Sequence, residues 1–411
     1  MESAYRILEE RGFIQQCSNP DGLRSALDSG PVTFYVGFDP TGTSLHVGHL
    51  VPLMAMAHLQ RAGHRPIALI GGGTARIGDP SGKTETRKML TVEAIKRNAE
   101  NFRRQISQFL DFSEDRALMI DNADWLAELN YIDFLREIGK HFSVNRMLSF
   151  EAYKQRLEKG LSFIEFNYQL LQSYDYLLLN RDYVCTLQMG GDDQWGNIVS
   201  GIELVRRIAG KEVFALTSPL VTRSDGKKMG KTEKGALFLD PALVSPYDFF
   251  QYWINVPDND TFKFLSLFTF LPMEELNSLS GLKDAEVNRA KEILALELTS
   301  IVHGRKTAEE VQRTSREAFG AGDGADLAAM PTVDVSFEKI EEGLNVVDLF
   351  AQTGLCESKG EARRLITQGG AYVNNVNIRD TETMVGMENI RDGMILLRAG
   401  KKRYFKVVII K

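Results

Sequence analysis

Residues 37–49 read Gly37-Phe38-Asp39-Pro40-Thr41-Gly42-Thr43-Ser44-Leu45-His46-Val47-Gly48-His49 and join an apolar run to the start of a helical pattern. A small polar loop separates the two, and the histidines open the helix. Residues three apart on a helix share a face, and the backbone N–H groups and dipole at a helix N-terminus favour anions such as phosphate. A His-x-x-His spacing is common by itself, but its place directly after a strand and a polar loop indicates an anion site.

The flanking segments predict a strand–helix–strand unit. Residues 32–38 are β-branched and aromatic and predict a buried strand, residues 50–62 predict a helix that stops at Gly63, and residues 66–70 predict a second strand before Gly71. Such units form parallel sheets with right-handed crossovers, and ligands bind beyond the carboxyl ends of the strands. The loops that carry His46 and Gly71 both lie at that end, so we expect them to meet in one crevice.

The rest of the chain alternates helical patterns with few strands. We predict a further strand at 186–189 and a helix that ends near Gly210. Other helices are expected at 92–110, 123–140 and 162–179, and residues 246–320 are expected to be mostly helical.

Length and composition indicate a multi-domain globular protein. The 411 residues suggest two or three domains, and 43% hydrophobic with 25% charged residues is ordinary. No uncharged apolar run approaches the ~20 residues that span a membrane, and residues 1–6 lack the features of a secretory signal. Cys17, Cys185 and Cys356 lie far apart, which argues against a zinc site or a disulfide framework and predicts a cytoplasmic protein.

The net charge of −6 is unevenly distributed. Residues 346–411 contain eleven Lys and Arg against seven Asp and Glu, a balance of +4, so the remainder carries −10. A basic end on an acidic body predicts a separate C-terminal module that binds a phosphate-rich partner.

Two basic segments are ambiguous by themselves. Residues 78–84 resemble a P-loop, but Ile77 stands where the Walker pattern requires glycine, and Pro80 removes a backbone donor. Residues 225–232 are a turn followed by clustered lysines. Taken alone, each segment is best explained as a solvated charged loop, although lysines on such a loop suit a charge that develops in a transition state.

Three cationic clusters follow one another along the chain: His46/His49, Lys83/Arg87 and Lys228/Lys231. With them the chain resembles the bacterial-type tyrosyl-tRNA synthetases, which are class I aminoacyl-tRNA synthetases. The first signature, His-Ile-Gly-His, matches residues 46–49 with Val47 for Ile. The second, Lys-Met-Ser-Lys-Ser, matches residues 228–232 with Gly230 for the first serine and Thr232 for the second. The likeness covers nearly the whole chain.

The resemblance implies the reaction and its participants. We expect a ligase that joins L-tyrosine to ATP as tyrosyl-adenylate and then transfers tyrosine to the 3′ end of tRNA(Tyr). ATP is a substrate with Mg²⁺, no tightly bound cofactor or protein metal site is expected, and the family acts as a homodimer. The sister tryptophanyl enzymes share both signatures.

By the same resemblance, a tyrosine pocket is expected in which the hydroxyl of Tyr35 and the carboxylate of Asp175 bond the substrate phenol. A buried donor and acceptor would be left unpaired by phenylalanine, which makes the pair a physical basis for selectivity. The substrate ammonium is expected to be held by Asp79, Tyr168 and Gln172. Gln188, Asp193 and Gln194 are expected at the strand end, near the substrate and the ATP ribose.

The resemblance also implies a set of catalytic and nucleotide-binding residues. Groups expected to stabilise the departing pyrophosphate are Thr41, His46, Lys83, Arg87, Lys228 and Lys231, and His49 is expected on the ribose side. Residues expected around ATP are Gly37, Asp39, Thr41, His46, Gly48, His49, Gly191, Asp193, Lys228, Met229 and Lys231. The C-terminal module resembles a small RNA-binding module first known in a ribosomal small-subunit protein, with tRNA contacts expected at Lys359, Arg363, Arg364, Lys401, Lys402 and Arg403.

The fold expected is α/β: a doubly wound parallel-sheet (Rossmann-like) catalytic domain, an α-helical domain and a small α+β RNA-binding domain. The boundaries expected are 1–232 for the catalytic domain, 233–325 for the helical anticodon-side domain, 326–345 for a linker and 346–411 for the RNA-binding domain. Two alternatives stay open at this point: another nucleotidyl transferase with the same histidine signature, and a non-catalytic RNA-binding protein derived from a synthetase.

Overall fold

The computed structural model describes residues 3–81, 89–222, 224, 229–232, 235–283, 286–319, 332–341, 343–374, 376–391, 393–400 and 403–410, without the side chains of 155, 231, 232, 235 and 317–319. The chain divides into two compact units. One contains Met1–Val244 with Ile254–Leu294, and the other contains Ser245–Trp253 with Ala295–Lys411.

The first unit is built on a sheet with strand order β1-β6-β5-β2-β3-β4. Its strands are β1 Gln16–Cys17, β2 Thr33–Phe38, β3 Arg65–Ile70, β4 Leu118–Asp121, β5 Cys185–Gly191 and β6 Phe214–Ser218. All neighbours are parallel except β1, which pairs antiparallel with β6 at the edge. The doubly wound prediction is therefore confirmed. The order runs outward in both directions from β2 and β5, so the carboxyl ends of these two strands flank the topological switch point.

Helices alternate with these strands along the chain and continue after β6. Up to residue 319 they are α1 Ala4–Glu10, α2 Pro20–Ser29, α3 Leu50–Arg61, α4 Val92–Ile106, α5 Ala123–Leu126, α6 Tyr131–Glu137, α7 Val144–Ser149, α8 Glu151–Lys159, α9 Phe163–Tyr183, α10 Trp195–Ala209, α11 Pro246–Ile254, α12 Asp258–Phe268, α13 Met273–Ser280, α14 Val287–His303 and α15 Arg305–Phe319. Between β6 and α11, two short strands, β7 Lys231–Thr232 and β8 Gly235–Ala236, pair antiparallel.

Local sequence signals explain where the site-bearing helices begin and end. Ser162 caps α9, because its hydroxyl accepts from the N–H of Glu165 while the Glu165 side chain bonds back to Ser162. Helix α10 ends at Gly210, whose φ of +63° suits glycine. Helix α3 is buried along almost its whole length, which explains its continuous apolar sequence.

Two helix predictions need correction. The pattern at 123–140 predicted one helix, but the structure has α5, then α6, then a 3-10 turn at Gly139–His141. The side chain of Asn130 accepts from the N–H groups of Ile132 and Asp133, so it starts a new helix instead of continuing the old one. The helix predicted at 92–110 ends at Ile106.

The second unit contains a small α+β module after residue 331. Its elements are β9 Thr332–Ser336, α16 Phe337–Glu341, β10 Leu344–Asn345, α17 Val346–Gln352, α18 Lys359–Thr367, β11 Ala371–Val373, β12 Val376–Ile378, β13 Met384–Val385, β14 Met394–Ala399 and β15 Arg403–Ile410. Strands pair in the order β12-β11-β14-β15-β9. Helices α17 and α18 contribute Phe350 and Ile366 to its core.

The prediction of a linker at 326–345 is wrong for most of that range. Strand β9 pairs parallel with β15, and Val335 is buried in the core of the module. The alternation of Val333 and Val335 with polar residues is a strand pattern that the acidic, small-residue composition concealed. Residues 326–331 lie outside the described part of the chain.

Candidate functional site

A cavity of about 640 Å³ opens at the switch point of the large sheet. Strands β2 and β5 line it with adjacent residues, since Tyr35 pairs with Gln188 across the ladder. The structure brings the following predicted site residues to this cavity: Tyr35, Gly37, Asp39, Thr41, His46, Gly48, His49, Asp79, Tyr168, Gln172, Asp175, Gln188, Gly191, Asp193, Gln194 and Met229. Segments that are far apart in sequence therefore converge on one crevice.

One end of the cavity is a buried polar pocket. Tyr35 is 1% exposed and Asp175 is 2% exposed. The Tyr35 hydroxyl has no hydrogen-bond partner among the described residues. Burial, followed by the nearby Asp175 carboxylate, raises the pKa of Tyr35 well above its usual value, so this hydroxyl keeps its proton and can donate it.

Two residues that sequence reasoning missed hold Asp175 in place. Asn122 Nδ2 donates to Asp175 Oδ2 (2.9 Å), and Trp125 Nε1 donates to Asp175 Oδ1 (2.8 Å). Asn122 directly follows β4, so it stands at the same sheet edge as the other site residues. The sequence analysis did not predict strand β4. A position directly after a predicted strand is the signal that would have identified Asn122.

A second polar group lies farther along the crevice. Gln194 Nε2 donates to Asp79 Oδ2 (2.7 Å), and the Ser81 N–H donates to Asp79 Oδ1 (2.9 Å). Gln172 Oε1 and Gln188 Oε1 are buried without a hydrogen-bond partner in the described part of the chain. Acceptors of this kind suit a cationic ammonium ligand.

The loop after β2 is tied to the loop after β3. Thr74 Oγ1 donates to Asp39 Oδ1 (2.7 Å), and the hydroxyl of Tyr168 donates to Asp39 Oδ2 (2.9 Å). A side chain at Gly71 would collide with Asp39, since its Cβ would stand 1.9 Å from Oδ1. Glycine is therefore required for the approach of these two loops.

Burial raises the pKa of the Asp193 carboxyl, and the nearby carboxylate of Asp79 raises it further.

The two histidines form a compact pair. His46 caps a short turn before α3, Val47–His49, and His49 ends it; their ring centroids are 4.2 Å apart. His46 Nδ1 accepts from the Gly48 N–H (3.0 Å), and His49 Nδ1 accepts from the His46 N–H (3.1 Å). The bond from Gly48 assigns the ring proton of His46 to Nε2, the nitrogen that can donate to a phosphate oxygen. His49 Nδ1 lies within reach of both the N–H (3.1 Å) and the carbonyl oxygen (3.3 Å) of His46.

Several predicted residues lie outside the described part of the chain: Lys83, Arg87, Lys228, Lys401 and Lys402. Lys231 is described in its backbone only, as the first residue of β7. Lys359, Arg363, Arg364 and Arg403 are exposed residues of the second unit. Lys359 pairs there with Asp348 (2.8 Å), and Arg403 pairs with Glu361 (3.7 Å).

The described residues contain no group of three or more His, Cys, Asp or Glu side chains that could hold a metal ion. Within the same residues, no helix has the length and apolarity needed to cross a membrane.

Comparisons with known proteins agree with this architecture. The family model of tRNA synthetases class I (W and Y) matches residues 27–320, and a tyrosine--tRNA ligase SYY-like C-terminal domain matches residues 325–407. The tyrosine--tRNA ligase of Treponema denticola is 55% identical over 409 residues, 99% of this chain and 100% of the relative. That of Acetivibrio thermocellus is 53% identical over 410 residues, covering both chains in full.

A solved structure gives the same result for the larger part of the chain. A C-terminally truncated mitochondrial tyrosyl-tRNA synthetase of Aspergillus nidulans is 28% identical and superposes with a TM-score of 0.70, covering 78% of this chain and 95% of that one. The chain therefore belongs to the class I tRNA synthetases of the tryptophan and tyrosine group and, within that group, to the tyrosine--tRNA ligases.

Proposed function

We propose that the cavity at the switch point is the place where this tyrosine--tRNA ligase forms tyrosyl-adenylate from L-tyrosine and ATP, before transfer of tyrosine to tRNA(Tyr). The observation that carries the proposal is the burial of Tyr35 and Asp175 in the cavity that the two histidines also line. A phenol in the buried end would accept from Tyr35 and donate to Asp175. Phenylalanine would leave the buried Tyr35 hydroxyl unpaired, at a cost of about 1–3 kcal/mol, and would deprive Asp175 of the donor that a phenol adds to Asn122 and Trp125.

The tyrosine ammonium is assigned to Asp79, Tyr168 and Gln172. The buried Gln172 oxygen supports this assignment, because burying an acceptor without a partner costs free energy that a bound ammonium would recover. Gln188 and Gln194 complete the tyrosine side. The remaining cavity, lined by Gly37, Asp39, Thr41, Gly48, Gly191, Asp193 and Met229, is assigned to ATP.

The adenylation step needs positioning and charge stabilisation more than proton transfer. The carboxylate of tyrosine is ionised at neutral pH and can attack the α-phosphate without a general base. The bond from the α-phosphate to pyrophosphate then breaks, and negative charge grows on the departing group. We assign its stabilisation to Thr41, His46, Lys83, Arg87, Lys228 and Lys231, and we assign His49 to the ribose side.

Mg²⁺ is assigned to the phosphates of ATP. The described residues hold carboxylates near the cavity, such as Asp39 and Asp193, but no dedicated metal cluster. Mg²⁺ commonly keeps several waters and binds substrate phosphates with few protein ligands, so this donor set is compatible with it.

A homodimer and a cytoplasmic location are further parts of the proposal. Residues 131–163 expose large apolar side chains, among them Ile132 (68%) and Phe163 (70%). Exposed apolar surface of this kind is typical of interfaces. Light scattering should give twice the mass of the 46.1 kDa chain, and Phe163→Glu should lower it. The cytoplasm is where tRNA charging supplies translation, and the three free thiols are compatible with it.

We also propose a catalytic domain at residues 1–232, a helical domain at residues 233–325 and an RNA-binding module at residues 332–411, which starts with β9. Contacts with tRNA are assigned to basic residues of that module, namely Lys359, Arg363, Arg364, Lys401, Lys402 and Arg403.

The decisive experiment is tyrosine-dependent exchange of pyrophosphate into ATP. We expect exchange with tyrosine and background exchange with phenylalanine or tryptophan. Exchange that depends on tryptophan would overturn the assignment of tyrosine as the substrate. If none of the three amino acids supports exchange, the proposal that this cavity forms an adenylate is wrong.

A variant tests the role of the first histidine. His46→Ala should lower the rate of adenylate formation far more than it weakens tyrosine binding, because the negative charge that His46 stabilises grows as pyrophosphate departs. Pre-steady-state kinetics separate the two quantities, and equal losses in both would contradict the assignment.

A further inference from the structure

Gly230 occupies a conformation that other residues rarely adopt. Its φ is +76°, in the left-handed region, and the residue is buried. A Cβ at this position would stand 3.2 Å from Cβ of Val47, a residue of the first histidine turn with no exposed surface. Both backbone strain and a close contact therefore oppose any side chain at residue 230.

Gly230 is also one end of a chain of backbone hydrogen bonds. The Leu237 N–H donates to the Gly230 carbonyl (2.7 Å), and the Val47 N–H donates to the Leu237 carbonyl (3.0 Å). The Leu239 N–H donates to the carbonyl of Leu45 (2.9 Å). His46 and Phe238 form an antiparallel bridge between these bonds. The strip 237–239 thus holds the backbone on both sides of His46, and the Gly230 carbonyl in turn holds the strip through Leu237.

The same arrangement reaches the cavity directly. Met229, next to Gly230, is 9% exposed and lines the cavity, as does Phe238. A shift of Gly230 would therefore move two residues that line the cavity, Met229 and Phe238.

We propose that Gly230 is a positioning residue for adenylation: its left-handed backbone and missing side chain let the strip 237–239 hold His46 at the cavity. This inference rests on the proposed function. It explains why glycine stands where the related signature has serine, since a serine Cβ would meet Val47 and strain the turn.

The test compares Gly230→Ala with Gly210→Ala in the full-length chain. Gly210 has a similar φ of +63° at the end of α10, but nothing lies within 4 Å of where its Cβ would stand. Both variants carry comparable backbone strain, and only one of them presses on the histidine turn. We expect Gly230→Ala to lower kcat for tyrosine-dependent pyrophosphate exchange by about tenfold, with the Kd for tyrosine unchanged. Gly210→Ala should keep the wild-type kcat.

A second background isolates the contact with Val47. In a Val47→Ala protein the alanine at residue 230 gains room, so its effect on kcat should shrink by about threefold or more. If Gly230→Ala alone does not fold, the double variant measured against Val47→Ala gives the same comparison. The inference is overturned if Gly230→Ala keeps the wild-type kcat, if Gly210→Ala loses as much, or if Val47→Ala leaves the loss undiminished. An inactive wild-type protein would instead overturn the proposed function.

Discussion

Asp175 is the residue whose environment contributes most to the chemistry proposed for the pocket. Burial raises the pKa of its carboxyl to about 8, even though the hydrogen bonds from Asn122 and Trp125 lower it. The free protein therefore holds this group largely protonated at pH 7. A bound phenol would add a third donor beside Asn122 and Trp125, and donors favour the ionised form. Tyrosine binding should then lower the pKa of Asp175.

This linkage predicts the direction of a pH effect. Between the pKa of the complex and about 8 in the free protein, binding tyrosine releases a proton, so affinity rises with pH. We expect the Kd for tyrosine to fall from pH 6 to pH 8, by at most about tenfold per pH unit, and then to level off. Titration of intrinsic fluorescence at each pH measures it.

Two variants serve as controls for that curve. Asp175→Asn removes the titrating group and should give a Kd that is higher and independent of pH in this range. Asn122→Ala removes a donor to Asp175 Oδ2, so the level region should begin at a higher pH. A wild-type Kd that stays constant from pH 6 to pH 8 would contradict the role given to the carboxyl.

Sequence patterns and the family resemblance together placed Tyr35, Asp175 and the histidines in one cavity, because the ends of parallel strands must meet at one edge of the sheet. They could not identify Asn122 and Trp125. These side chains act through Asp175, and Trp125 follows a strand that is too short for its pattern to be evident. Contacts of this kind depend on packing between segments, which spacing along the chain does not encode.

At the scale of elements, a buried ion pair joins α8 to α9. Arg156 donates through one terminal nitrogen to both carboxylate oxygens of Glu165 (3.0 Å each), and their side chains are only 2% and 5% exposed. Glu165 also completes the cap of α9, the helix that carries Tyr168, Gln172 and Asp175. The position of this helix therefore depends on a charge that must remain paired.

Removing one partner should be costly. Arg156→Ala leaves Glu165 buried without its guanidinium, and we expect the free energy of unfolding to fall by about 3–5 kcal/mol. Urea denaturation measures the loss. Arg181→Ala, which breaks an exposed pair with Asp182, should cost less than about 1 kcal/mol.

A double variant distinguishes the pair from simple packing. Replacing Arg156 and Glu165 together by methionine removes both charges, and much of the stability should return. Arg156→Met alone refills the space of the arginine stem but leaves Glu165 unpaired, so it should stay less stable than the double variant. If Arg156→Met recovers as much stability as the double variant, the loss comes from packing and the ion pair is not its cause.

Elements were predicted well where the pattern was long or clearly bounded, as for β2, α3 and α10. They were predicted badly where one polar side chain decides the outcome. Asn130 splits the helix expected at 123–140, and the Asn side chain that restarts the helix is also compatible with a helix interior. The sequence predicts a linker where the structure has β9, because the partner strand β15 is distant in sequence and composition alone does not reveal strand pairing.

At the scale of the whole molecule, the excess of basic residues and the cavity lie in different parts of the chain. The acidic larger part contains the cavity, and the basic end contains the module in which α18 exposes Arg363 and Arg364. Both arginines follow the capped start of that helix and project from a folded module with its own core. Exposed cations on a rigid helix suit a phosphate backbone, which structured RNA presents through its shape.

This division predicts that the two halves of the reaction respond differently to Arg363→Gln with Arg364→Gln. Pyrophosphate exchange should be unchanged, because neither residue lines the cavity. The KM for tRNA in charging should rise, and the plot of its logarithm against log salt should become shallower by about two, since each arginine would neutralise one phosphate. Arg363→Lys with Arg364→Lys retains both charges and should keep the wild-type slope. Normal charging by the glutamine variant would show that these arginines do not bind tRNA, and impaired exchange would show that the substitution disturbs the catalytic part.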